Sequence, residues 1–193
     1  MDRRDILGAG LIVAAGAVLP AAGQDGLRSG PQAGQRPLPF TSNLVTGPYR
    51  GKQHCYVCEL KDEPAVLIFA RRLDEPTARL LRNLRDAVQE HKSEKLFGWF
   101  VFLSAADARS EAELEQQLEQ FARDNGASRL PVSALGDPEG PPGYRIAREA
   151  DVTVLLFRSG KVLANRAYRA REWNNGAAGR ALRDLDSVFG WTK

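Results

Sequence analysis

The chain has little from which to build a metal centre or a thiol network: two cysteines, two histidines and one methionine in 193 residues. It has no long hydrophobic run. The longest uncharged apolar stretch, Ile6 to Leu19, is 14 residues and laced with glycine, short of the roughly 20 residues that a membrane-crossing helix needs. It has no strong excess of one charge. Lys+Arg is 27 against 24 Asp+Glu, a net charge of +3, too weak an excess to mark a nucleic-acid binder. There is no Ser/His/Asp order, no paired-carboxylate signature and no dinucleotide fingerprint. Gly140-Pro141-Pro142-Gly143 reads as a rigid turn rather than a phosphate loop, because no long helix opens after it with free amides. No cofactor is implied. What is present is globular: 43% hydrophobic and 26% charged residues exclude wholesale disorder, a collagen-like repeat and a coiled-coil rod.

The first residues read as an address. Arg3 and Arg4 precede the apolar stretch, and Ala21-Ala22-Gly23 supplies small residues for a peptidase. Residues 1–23 therefore read as a signal peptide. The arginine pair resembles a twin-arginine (Tat) export signal, with the general secretion route as the alternative. The expected location is outside the cytoplasm, periplasmic or extracytoplasmic, with membrane attachment only if the signal stays uncleaved. Residues 24–48 carry Gly26, Gly30, Pro31, Gly34, Pro37, Pro39, Gly47 and Pro48 and few apolar side chains. A stretch that buries so little cannot offset its ordering entropy, so a flexible tether is expected, with the folded domain spanning 49–193.

From there strands and helices alternate. Pro64 to Ala70 and Leu96 to Leu103 are continuous apolar runs, as strands covered on both faces should be. Residues 75–91 place Ala78, Leu81, Leu84 and Val88 on one helical stripe. Residues 110–124 read as a helix with Ser110 as N-cap and Glu113 completing a capping box. Leu130 to Leu135 is a strand, Val152 to Phe157 and Val162 to Tyr168 form a hairpin, and Asn174 or Asn175 caps a last helix burying Leu182, Leu185, Val188 and Phe189. This order implies an α/β domain with right-handed crossovers and an antiparallel edge.

Residues 130–168 carry a strand, Asp137-Pro138-Glu139-Gly140, a short helix at Tyr144–Glu149, the strand Thr153–Phe157 and the turn Ser159-Gly160-Lys161-Val162. In that order they resemble the second half of peroxiredoxin-like and cytochrome-maturation thioredoxin domains. The resemblance to the thioredoxin-like superfamily spans 64–190. It implies a three-layer α/β/α sandwich with a central mixed sheet, and protein thiols, disulfides or a protein partner as what it acts on. Two landmarks depart. The family's redox C-x-x-C follows the first central strand and opens the next helix, where this chain has Ala70-Arg71-Arg72-Leu73-Asp74-Glu75. The family's cis-proline position is Val152.

The cysteines, Cys55 and Cys58, lie before that strand instead, at the sheet end opposite the usual α/β site. Four readings stay open. The pair is a structural disulfide in a non-catalytic binding module. Or it is a relocated redox couple, with Cys55 as nucleophile, Cys58 as resolving thiol and His54 and Lys52 favouring a thiolate. Or Cys55, Cys58 and His54 are metal ligands, one short of zinc's four. Or the thiols are free. Asp74 and Glu75 beside Arg71 and Arg72 form a weaker polar candidate, as does the basic set Arg158, Lys161, Arg166, Arg169 and Arg171, and both read first as solvated surface.

Overall fold

The computed structural model describes residues 26–104 and 110–192; the leader read over 1–23 lies outside them. Its elements are β1 (Ser42–Leu44), β2 (Gln53–His54), α1 (Tyr56–Glu59), β3 (Ala65–Ala70), α2 (Glu75–Glu90), β4 (Phe97–Leu103), α3 (Glu111–Asp124), β5 (Val132–Leu135), β6 (Ala150–Arg158), β7 (Lys161–Arg169), α4 (Asn175–Arg180) and α5 (Leu185–Phe189). One seven-stranded sheet has the order β2-β1-β5-β4-β3-β6-β7. β3 lies inside it, parallel to β4 and antiparallel to β6, so the sheet is mixed.

The apolar run 65–70 is continuous because both faces are covered. Val66, Ile68 and Ala70 meet the helices, while Ala65, Leu67 and Phe69 meet the opposite layer. α2 lies close to β4 because position 98 is glycine. A Cβ there would come within 2.8 Å of Val88 and 2.9 Å of Leu84. The capping box at Ser110 and Glu113 forms as expected. The last helix does not form in one piece; Asn174 caps α4, and the chain turns before α5. The short helix expected at Tyr144–Glu149 is a set of turns. Arg145, inside that span, takes a positive φ of 56°, which a right-handed helix excludes.

All of α2 to α5 pack on one sheet face. The other face carries Leu67, Phe69, Trp99 and Leu155 and, among the described residues, has no long helix over it. It is covered by α1, by the 137–149 turns and by the segment expected to be a tether. From residue 29 that expectation is corrected. Ser29 Oγ bonds Thr153 Oγ1 at 2.6 Å. Gly34 donates to the Val162 carbonyl at 2.8 Å and the Val162 amide donates to Gln35 at 2.9 Å. Phe40 stacks on Trp99 with centroids 4.7 Å apart. A count of local apolar residues misses this, because a handful of side chains suffices when an apolar surface is already waiting. The strap then continues as β1, which closes the sheet edge against β5.

Candidate functional site

Cys55 and Cys58 are joined in a disulfide across three residues. Cys55 is the N-cap of the one-turn α1, and its Sγ accepts the Cys58 amide at 3.2 Å. Cys55 is half-buried and Cys58 is exposed. The turn is moored by Tyr56, 2% exposed, whose ring meets Phe97 at 4.7 Å and Trp99 at 5.2 Å. Burial, helped by the nearby Glu59 charge, pushes the Tyr56 phenol well above its ordinary pKa. Phe97 opens β4 opposite Ala65, so the disulfide lies at the amino ends of the central strands. The carboxyl end is five residues further along β3, roughly 16 Å at strand rise.

His54 sits beside this turn. Its ring stacks on Tyr49 at 3.8 Å, and its Nε2 lies 2.7 Å from Glu59 Oε2. Tyr49 Oη donates to the other Glu59 oxygen at 3.3 Å. Sequence reasoning named His54 and missed Tyr49 and Glu59; the placing of His54 and Glu59 directly on either side of the cysteine pair was the available signal. With both sulfurs bonded to each other, neither is a thiolate ligand. Among the described residues no group of three or more His, Cys, Asp or Glu side chains is arranged to hold a metal ion. Lys52 is exposed on the loop before β2.

The carboxyl end of the sheet holds different chemistry. At the start of α2, where the resemblance places a C-x-x-C, stand Asp74 and Thr77. Asp74 Oδ1 accepts both the amide (3.1 Å) and the hydroxyl (2.8 Å) of Thr77, and Thr77 Oγ1 in turn accepts Trp173 Nε1 at 3.0 Å. Val152 pairs with Ala70, and no cis peptide occurs among the described residues. Arg71 fills the neighbouring space. Its guanidinium donates to the carbonyls of Ala150 (2.8 Å), Ala147 (3.1 Å) and Pro138. Burial lowers its pKa, partly offset by Asp151. Arg72 bridges Asp74 and Asp151, and Glu75 pairs with Arg82. These groups satisfy one another, and the polar candidate there is a brace. In the hairpin region Arg166 is spent on Asp184, and Arg169 and Arg171 on Glu172.

No protein-family model and no curated protein matches the chain. Solved structures do. A Chlorobium tepidum protein assigned as the thiol:disulfide interchange protein DsbE is 15% identical, with TM-score 0.59, over 82% of this chain and 99% of that one. The peroxidoxin BcpB of Mycobacterium tuberculosis is 16% identical, with TM-score 0.57, over 84% and 99%. The exposed lipoprotein thioredoxin Etrx1 of Streptococcus pneumoniae is 15% identical, with TM-score 0.53, over 77% and 100%. The chain thus has the thioredoxin-like fold, with a C-x-x-C disulfide away from the usual place.

Proposed function

We propose that this domain carries out thiol–disulfide exchange with protein thiols through Cys55 and Cys58, at the amino ends of the strands. The observation that carries this reading is the exposed disulfide on a turn that other contacts already hold. β2 pairs with β1, Tyr56 is buried, and Leu60 donates to the Tyr56 carbonyl at 2.9 Å. A bridge over three residues adds little to such a clamp.

The greater exposure of Cys58 over Cys55 supports roles opposite to those expected from sequence. A substrate thiolate attacks Sγ of the exposed Cys58. The S–S bond breaks and Cys55 leaves as a thiolate, held by the Cys58 amide. The substrate's second thiol gives up its proton and attacks the mixed disulfide. Cys58 leaves, the substrate is oxidised by two electrons, and the pair takes up two protons. Run in reverse, Cys58 is the nucleophile and Cys55 the resolving thiol.

The experiment is a glutathione titration with mass-spectrometric trapping, together with an insulin-reduction assay. The expected potential is above about −300 mV. Cys55→Ser should accumulate a mixed disulfide through Cys58, and Cys58→Ser should not. A potential below that value with no insulin reduction would instead favour the non-catalytic module with a structural bridge.

We further propose that the domain works outside the cytoplasm, with 1–23 as its leader. A disulfide fits an oxidising compartment, and no described helix is long and apolar enough to cross a membrane. Mass spectrometry of the protein from its native cells should show loss of 1–23; an intact N-terminus in the cytoplasmic fraction would refute it.

A further inference from the structure

A cleft of about 760 Å³ opens between the strap and the turns after Gly140, lined by Arg28, Arg36, Arg145, Leu38, Tyr144 and Gln35 among others. Among the described residues no aspartate or glutamate lines it, although the chain has 24 of them. Nine other arginines pair with carboxylates, whereas among the described residues Arg28, Arg36 and Arg145 have no ion-pair partner. All three are exposed. Unopposed guanidinium groups around a cleft concentrate positive potential in it.

The walls are fixed. Gly30 donates to the Arg145 carbonyl at 3.2 Å. Tyr144 Oη donates to the Leu38 carbonyl at 2.8 Å, and Asn165 Nδ2 donates to the Ser29 and Pro31 carbonyls at 2.7 and 2.8 Å. Arg145 is held at φ 56°, a backbone state that a non-glycine residue keeps only where its surroundings impose it. Leu38 is 44% exposed, one of two exposed large hydrophobic residues among the described residues.

The cleft is long. Gly30, next to Arg145, lies over the middle of β6; a Cβ there would touch Thr153 and Leu155. The Arg36 guanidinium lies instead within 3.8 Å of the Cβ position of Gly160, in the turn after β6. From Thr153 to Arg158, the last residue of β6 before that turn, is five residues, roughly 16 Å at strand rise. One phosphate or one carboxylate cannot occupy both ends. An extended peptide of about five residues can, with acidic side chains on the arginines and an apolar one on Leu38.

We propose that this cleft binds an extended acidic peptide segment of a partner protein. Guanidinium forks suit carboxylates, and the volume falls within the range of ligand sites. The site shares its sheet face with the disulfide turn but does not include it, and holds whether or not Cys55 and Cys58 exchange.

The test is fluorescence anisotropy with the full chain and a labelled hexapeptide alternating aspartate and leucine. Binding should weaken as salt rises. Arg36→Gln and Arg145→Asn should each weaken it about tenfold, the asparagine chosen because it tolerates a left-handed backbone. Cys55→Ser should leave it unchanged. In parallel, the peptide should shift the backbone NMR signals of Gln32, Gln35 and Gly143 in the unaltered protein, a readout that needs no variant to fold. Equal binding of a lysine–leucine peptide, insensitivity to both arginine changes, absent shifts, or tighter binding of a single-stranded oligonucleotide or of phosphatidylglycerol vesicles would each overturn the proposal.

Discussion

Tyr56 meets Trp99 edge to face, with ring centroids 5.2 Å apart and planes at 68°. This contact seats the Cys55–Cys58 turn on the amino end of β4. Among the described residues the Tyr56 hydroxyl finds no hydrogen-bond partner although it is buried. Tyr56→Phe is therefore expected to be neutral or stabilising. Tyr56→Ala should cost about 3–5 kcal/mol through the cavity it leaves. Urea unfolding of the two variants checks this, and a costly Tyr56→Phe would reveal a partner for that hydroxyl.

Removing the disulfide should change chemistry more than stability. In the chain-entropy account, a bridge closing so short a loop is worth about 2 kcal/mol at most. The Cys55→Ser/Cys58→Ser double variant should lose all insulin reduction yet keep the native far-ultraviolet spectrum and a cooperative melt. A variant that fails to fold would assign the pair to structure.

Arg71 holds three carbonyls of the 137–150 region. Arg71→Met leaves those acceptors without their donor and should destabilise by about 2–4 kcal/mol. Limited proteolysis should then cut first within 137–150, while exchange through Cys58 stays within about twofold. Loss of exchange without loss of stability would instead place redox chemistry at the carboxyl end of the sheet.

Burial raises the phenol pKa values of Tyr144 and Tyr168. Groups raised in the folded state contribute stability that is complete below the unfolded value near 10 and is lost as pH rises beyond it. The melting temperature should hold between pH 7 and about 9 and fall steeply from about 10 upward. Tyr144→Phe should soften that fall while costing about 1 kcal/mol at neutral pH, because its bond to Leu38 O at 2.8 Å is lost. A flat alkaline profile in the unaltered protein would contradict the burial of these phenols.

Asp74 caps α2 through Thr77. Asp74→Ala should cost about 1 kcal/mol, read by urea denaturation, without altering the redox titration. A shifted redox midpoint would tie this helix start to the cysteine pair.

The amino-acid order determined the elements whose signals are local. Continuous apolar runs gave β3 and β4, periodicity gave α2, and Ser110 with Glu113 marked the start of α3, because strand, helix and cap preferences act over a few residues. It also named the cysteines and their displacement relative to the central strand. Tertiary structure alone decided the rest. Whether residues 29–48 lie free or strapped depends on a bare sheet face contributed by Leu67, Trp99 and Leu155, far away in the chain. The three carbonyls on Arg71 and the unopposed arginines of the cleft join residues up to more than a hundred positions apart. Such partners are chosen by the packing of the sheet, which no local preference encodes.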